Sequence, residues 1–333
     1  MRLVQLQGKR IVSIYFGGGT PTKLAPQEYA LLLDAIRGSG IDVAQDCEIT
    51  LEANPEDISL SLMREFQALG INRVSLGVQS LVDEELILLG RSHNASRSLK
   101  AIHEVYDAGI VNISIDLMFE LPSQNVATWE KSLYALSELP ITHLSLYNLT
   151  FEPHTVFFKN KNQLIPQLPP DEERLKMLQT AIAHLESMGL KRYEISAFAK
   201  KGMHSRHNTG YWTARPFFGF GPSAFSYWDG ARFSNVAHFN KYLNFLDQNC
   251  FPVDFEEKLD YPHNLQELLA VRLRLAEGVD LTAFTQAHGS LPKELEQTLR
   301  SLASKGYLSW EGDILKLTAQ GQLFYDTVAS EII

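Results

Sequence analysis

IVSIYFGGGTP, residues 11–21, joins an apolar, β-branched run to three consecutive glycines and a Thr-Pro turn. Ile11 to Phe16 reads as a strand. The glycines let the backbone turn sharply and approach a ligand. Gln27 to Arg37 follows as a helix, with Tyr29, Leu32, Leu33 and Ile36 at helical spacing. Strand, glycine turn and helix make one βα unit, and the same order repeats outward from it. Glu48 to Glu52, Arg73 to Gly77, Asn112 to Met118 and His143 to Leu149 read as strands. Helices are expected at Leu60 to Leu69 and Val126 to Leu139, with two helical segments between Gly77 and Asn112. Strands recurring every 30 to 40 residues, each followed by a helix, predict a parallel sheet.

After Pro153 the pattern loosens. Pro166, Pro169 and Pro170 mark a linker, Glu172 to Met188 reads as an amphipathic helix and Lys191 to Ile195 as a strand. Leu265 to Ala276 and Lys293 to Lys305 read as helices. Tyr307 to Trp310 and Ile314 to Thr318 form a hairpin-like pair around Gly312-Asp313. Helices followed by a hairpin match the layout of a winged helix. Glu256 to Ile333 holds seven Lys/Arg against twelve Asp/Glu, the wrong sign for tracking phosphates, so this part reads as a packing or partner domain. The expected organisation is a partial barrel over 1–200, an aromatic segment and connection over 201–255, and a C-terminal domain over 256–333.

With 333 residues, 45% hydrophobic and 21% charged, the chain can bury a sizeable core and is not disordered. A net charge of −9 argues against a polyanion as main partner. No apolar run approaches the roughly 18 residues of a membrane span. Two cysteines, Cys47 and Cys250, supply neither a disulfide framework nor a zinc knuckle.

Polar residues gather at one edge. Glu52, Gln79, Asp116 and Asn148 stand at or just past the carboxyl ends of their strands, where parallel sheets bind ligands. Four motifs stand at this edge: Gly17-Gly18-Gly19-Thr20-Pro21, Glu52-Ala53-Asn54-Pro55, Gly77-Val78-Gln79-Ser80 with Leu89-Gly90-Arg91 beyond it, and Asp116 in NISIDLMFELP. The glycine loop lacks the Lys of a nucleotide-phosphate loop and the spacing of GxGxxG. Taken alone it is equally a tight turn into a helix.

In this order and spacing the motifs resemble the radical S-adenosylmethionine (SAM) superfamily. Within it they resemble the oxygen-independent coproporphyrinogen III oxidase-like proteins of the haem-chaperone branch, HemW. The likeness runs from about Val12 to the C-terminus. It implies an α/β fold, an incomplete parallel (β/α)6 TIM-like barrel without its first strand, followed by a helical, winged-helix-like domain. It implies that Gly18, Gly19, Thr20, Glu52, Gln79, Arg91, Asp116 and Thr150 contact SAM. The ammonium, carboxylate and ribose of SAM suit those side chains. His207-Asn208-Thr209-Gly210-Tyr211-Trp212 (HNxxYW) resembles the chaperone branch. It implies His207 as a ligand of haem iron, with Tyr211 and Trp212 against the macrocycle. Tyr211 to Phe233 holds nine aromatics in 23 residues, and His204 is a second candidate nitrogen.

The family also carries CxxxCxxC, whose thiolates hold a 4Fe–4S cluster. Only 16 residues precede Gly17 and none is Cys, so those ligands are absent from this chain. Either the start is placed too late or the chain has shed its catalytic segment. The exposed edge that a missing first strand would leave on IVSIYF favours a truncated reading frame. Glu120 and Ser123 stand where relatives usually have Gly. The resemblance implies a cytoplasmic haem chaperone delivering to a respiratory haemoprotein, with SAM and the cluster in a full-length form. Nucleic acid is not expected as a partner, and any membrane contact is peripheral, through a partner. Radical catalysis is not expected without the cluster. The alternatives are the oxidative decarboxylase of porphyrin biosynthesis, acting on coproporphyrinogen III, and a nucleic-acid-binding or regulatory protein.

Overall fold

The computed structural model describes residues 2–153 and 155–333. It divides the chain into two units, Leu6–Arg206 and His207–Ile333, the latter joined by the first residues through Gln5.

The first unit is built on a curled seven-stranded sheet. Its strands are β1 (Arg10–Phe16), β2 (Asp42–Ala53), β3 (Arg73–Gln79), β4 (Asn112–Phe119), β5 (His143–Asn148), β6 (Lys191–Glu194) and β7 (Ala197–Ala199), in the order β1-β2-β3-β4-β5-β7-β6. β1 to β5 are parallel, as the βα alternation predicts. The far end departs from it, since β7 runs antiparallel to both β5 and β6. Only Ile195 and Ser196 join β6 to β7, too few residues for a parallel crossover. Among the described residues β1 pairs with β2 alone.

The two faces of this sheet differ completely. Leu51, Val74, Leu76, Ile113, Ile115, Leu117, Leu144 and Leu146 point to one side and are buried. The helices Pro26–Gly38, Leu60–Leu69, Ala95–Asp107, Val126–Ala135 and Asp171–Ser187 cover them with Tyr29, Phe66, Val105, Trp129 and Met177. Each fully buried side chain of this size contributes about 1.5–3 kcal/mol. Local signals set the helix ends. Asn94 accepts from the Arg97 N–H at 2.9 Å and Asn125 from the Thr128 N–H at 3.0 Å. Gly70, at φ 102°, closes Leu60–Leu69 in the left-handed conformation.

The second unit holds two small sheets. β8 (Phe225–Trp228), β9 (Ala231–Asn235) and β10 (Val253–Lys258) form an antiparallel sheet, a structured element where the sequence suggested only a connection. The β8–β9 turn, Asp229-Gly230, has both residues at positive φ (52° and 73°), the geometry of a two-residue hairpin. Further on, β11 (Val279–Asp280), β12 (Leu308–Glu311) and β13 (Ile314–Leu317) pack with the helices His263–Arg272, Leu281–His288, Lys293–Ser304 and Tyr325–Ile332. This is the expected helix-and-hairpin layout, and Leu269, Leu299, Leu302, Leu315 and Val328 form its own core.

Candidate functional site

The second face of the large sheet is mostly polar. Register pairing sets its rows: Tyr15, Thr50, Arg73 and Asn112; then Glu52, Ser75, Ser114 and His143; then Asp116 and Ser145; then Met118 and Tyr147. Paired residues of parallel neighbours share a face, so these side chains line the inside of the curl. Glu52, Gln79 and Asp116 lie toward its open edge, where the sequence places ligand contacts.

At that edge Glu52 organises the glycine loop. Its Oε1 accepts from the Tyr15 hydroxyl at 2.5 Å and its Oε2 from the Gly18 N–H at 3.1 Å. The three glycines are needed for different reasons. Gly18 and Gly19 sit at φ 80° and 59° with open space where a Cβ would stand. At Gly17 a Cβ would lie 2.6 Å from the Tyr15 ring and 3.0 Å from the Glu52 carboxyl. The loop is pinned beyond Thr20: Thr22 and Lys23 both bond Asp57, at 2.9 and 2.7 Å, and the Tyr29 hydroxyl donates to the Pro21 carbonyl at 2.8 Å. Gly17→Ala is therefore expected to split the Tyr15–Glu52 pair at a cost of about 1–2 kcal/mol. Urea unfolding and the loss of the Glu52–Gly18 bond, followed by amide exchange at Gly18, check this.

Gln79 ends β3 at φ 68°, beside a break in the β3–β4 register. Gly77 leaves room for it: a Cβ there would stand 3.3 Å from the Gln79 amide nitrogen and 3.4 Å from Asn54 Oδ1. Backbone held in this region collects at functional sites. Arg91 enters from a loop fastened on both sides of the sheet edge. Ser92 donates to Glu56 at 2.5 Å, while buried His93 contacts Glu56 at 2.8 Å and the Val78 carbonyl at 3.3 Å. Half-buried Asp116 hydrogen-bonds Ser145. Burial pushes its pKa up to about 6 despite that bond and the fields of Arg73 and Arg91. Thr150 lies exposed, two residues past β5. Glu120 and Ser123, after β4, both adopt positive φ (62° and 64°), which is why glycine suits those positions.

Gly18 and Glu52 are thus in direct contact, and Asp116 lies within the electrostatic range of both Glu52 and Arg91. Tyr15, Arg73 and Ser145 belong to the same surface. Sequence reading passed over them, although the alternation of polar and apolar residues in SIY, RVSLG and HLSLYN carries the signal. Two carboxylates, an amide, a guanidinium and an open glycine turn fit the ammonium, carboxylate and hydroxyls of SAM. A thiolate-held cluster does not fit. Cys47 is buried within β2 and Cys250 lies exposed in the second unit. Among the described residues no group of three or more His, Cys, Asp or Glu could hold a metal.

In the second unit, His207 and Tyr211 occupy successive turns of one short helix (Arg206–Trp212). His207 Nε2 and the Tyr211 hydroxyl share a hydrogen bond of 2.7 Å, their rings edge-to-face at 4.8 Å. Tyr211 packs in turn on Phe217 at 4.7 Å. The Trp212 ring lies under the Arg274 guanidinium at 4.3 Å. His204 belongs to the first unit and stacks on Tyr193 at 4.2 Å.

A polar-lined half-barrel with a glycine turn at its ligand edge defines the class, an α/β protein of radical SAM type. The model of the radical SAM superfamily matches residues 1–134, and that of the HemN C-terminal domain matches residues 259–324. Haem chaperone HemW of Bacillus subtilis (strain 168) is 34% identical, the alignment covering 95% of this chain and 84% of that one. Haem chaperone HemW of Synechocystis is 33% identical, covering 97% of this chain and 79% of that one. The fold superposes on coproporphyrinogen III oxidase HemN of Escherichia coli, a radical SAM enzyme, with a TM-score of 0.84. Identity there is 22%, over 99% of this chain and 80% of that one. The chain belongs to the HemW family of the radical SAM superfamily. No helix among the described residues is long and apolar enough to cross a membrane.

Proposed function

We propose that this chain is a haem carrier that binds haem iron through His207 and passes the haem to a respiratory haemoprotein in the cytoplasm. The hydrogen-bonded His207–Tyr211 pair carries the reading, together with the haem chaperones among its relatives. Segment 201–255 is the part we assign to haem, with the rings of Tyr211 and Trp212 offered to the macrocycle. In the same reading Gly18, Gly19, Thr20, Glu52, Gln79, Arg91, Asp116 and Thr150 hold SAM. When bound, SAM supplies a sulfonium and a source of adenosyl chemistry. The residues of this chain only bind and orient it, and no step is assigned to a cluster.

Ligation through Nε2 requires the Tyr211 hydroxyl to give that nitrogen up. This fixes the test, a hemin titration followed by the Soret band. His207→Ala is expected to lose the shifted band and to weaken binding about tenfold or more. Tyr211→Phe removes a competing hydrogen bond of about 1 kcal/mol and is expected to tighten binding about fivefold. A Soret shift unchanged in His207→Ala sinks the reading.

A further inference from the structure

We propose that Arg73, with Thr50 beside it, forms a carboxylate-binding subsite on the floor of the polar face of the first unit. Arg73 opens β3 and is level in register with Thr50 and Tyr15, one row below Glu52. It is 1% exposed, and Thr50 is fully buried. Arg73 Nε and Thr50 Oγ1 are both buried without a hydrogen-bond partner. The two residues pair across β2 and β3, so the two unsatisfied groups stand side by side on one face. A buried guanidinium nitrogen left without an acceptor pays its desolvation with no hydrogen bond in return.

None of the neighbouring carboxylates hydrogen-bonds Arg73 Nε. Glu52 spends its oxygens on Tyr15 and Gly18. Glu48, 6% exposed, accepts from the Arg206 N–H at 2.8 Å and from the Ser205 hydroxyl at 3.5 Å. Asp116 is bonded to Ser145 and, with its pKa raised to about 6 by burial, faces Arg73 electrostatically without a hydrogen bond to its Nε. His143 hydrogen-bonds Ser114 and Tyr193 at 2.8 and 2.9 Å and is kept neutral by burial and by the Arg73 charge. Arg73 is therefore the fixed positive charge of the floor. Above it stand the hydroxyls of Ser75 and Ser114. A guanidinium fork offers two parallel N–H groups to a planar carboxylate, and a hydroxyl beside it adds a third donor.

A ligand carboxylate at this place has two sources, a propionate-type arm of a tetrapyrrole or the amino-acid end of SAM. The choice of probes rests on the reading above, but the subsite does not depend on His207. The full chain, wild type and Arg73→Met, is titrated with hemin and its dimethyl ester by absorbance. SAM and decarboxylated SAM are followed by titration calorimetry. In at least one pair the wild type is expected to bind the acid about tenfold more tightly than its neutralised form. Arg73→Met is expected to erase that ratio while leaving the neutralised probe's affinity unchanged, and the pair that responds names the source. Thr50→Val keeps shape and charge and is expected to lower the ratio about threefold, which serves should Arg73→Met fail to fold. Equal affinities within both pairs in wild type, or a full ratio surviving in these variants, overturn the subsite. Hemin bound through His207 with no ratio in either pair sinks the subsite alone. Discrimination within the SAM pair without hemin binding sinks the haem reading alone.

Discussion

Trp129→Ala is expected to lower the unfolding free energy by about 3–5 kcal/mol, the range for deleting a large buried ring. Trp129 is fully buried beneath the large sheet. Its ring stacks on Phe119 at 6.0 Å, and its indole N–H donates to the Met177 carbonyl at 2.9 Å. Three elements meet there: the end of β4, the helix Val126–Ala135 and the helix Asp171–Ser187. Alanine removes the ring and its area and leaves a cavity that the surrounding strands cannot close. Domains hold only about 5–15 kcal/mol in all, so this loss takes a large share of the first unit's stability. Trp129→Phe separates the terms, because it keeps most of the packing and loses the hydrogen bond, at a cost of about 1–2 kcal/mol. Urea unfolding of the three proteins, read by circular dichroism, checks both values. A Trp129→Ala loss under 1 kcal/mol would mean that the core repacks freely. Asp116 sits three residues before Phe119 on β4, so a loosened strand end also displaces the candidate ligand edge.

The parts of this fold that the sequence made legible are those where one physical requirement dominates. Parallel strands buried under helices need apolar, β-branched runs such as Ile113 to Leu117 and Leu144 to Leu146, interrupted by helical periods. That alternation is visible without a structure. Gly17 to Gly19 were legible as a tight turn for the same reason, since positive φ at Gly18 and Gly19 and close packing at Gly17 leave little choice but glycine. The inner row was not. Thr50, Arg73 and Ser75 are single polar residues in otherwise apolar runs, and one strand alone does not say which face will be curled inward. Their meaning comes from register, which sets Arg73 opposite Thr50 and Ser75 opposite Ser114. The β8–β9 hairpin had a local signal in Asp229-Gly230, but the density of aromatics around it drew the reading toward ligand contact rather than strand. The antiparallel β6–β7 pair is set by a two-residue connection inside a region that otherwise obeys the βα rule.

Asp116→Asn is expected to stabilise the protein by about 2–3 kcal/mol at pH 8 and to change little at pH 4. The carboxyl titrates near pH 6 in the fold, raised chiefly by burial, against about 3.9 in an unfolded chain. Between those values the native state binds more protons than the unfolded state. The stability contributed by the neutral acid is thus full below about pH 4 and lost as pH rises through about 6. Asparagine keeps the shape, can still bond Ser145 and does not titrate, so it escapes that loss. Urea unfolding of both proteins at pH 4 and pH 8 measures the difference of differences. Asp116→Asn less stable than wild type at pH 8 would show that Arg73 and Arg91 over-compensate the buried charge. A residue kept at a net cost points to work done in a bound state. If Asp116 holds a SAM hydroxyl or ammonium, saturating SAM at pH 8 should raise the wild type's stability and leave Asp116→Asn nearly where it was, closing the gap between them.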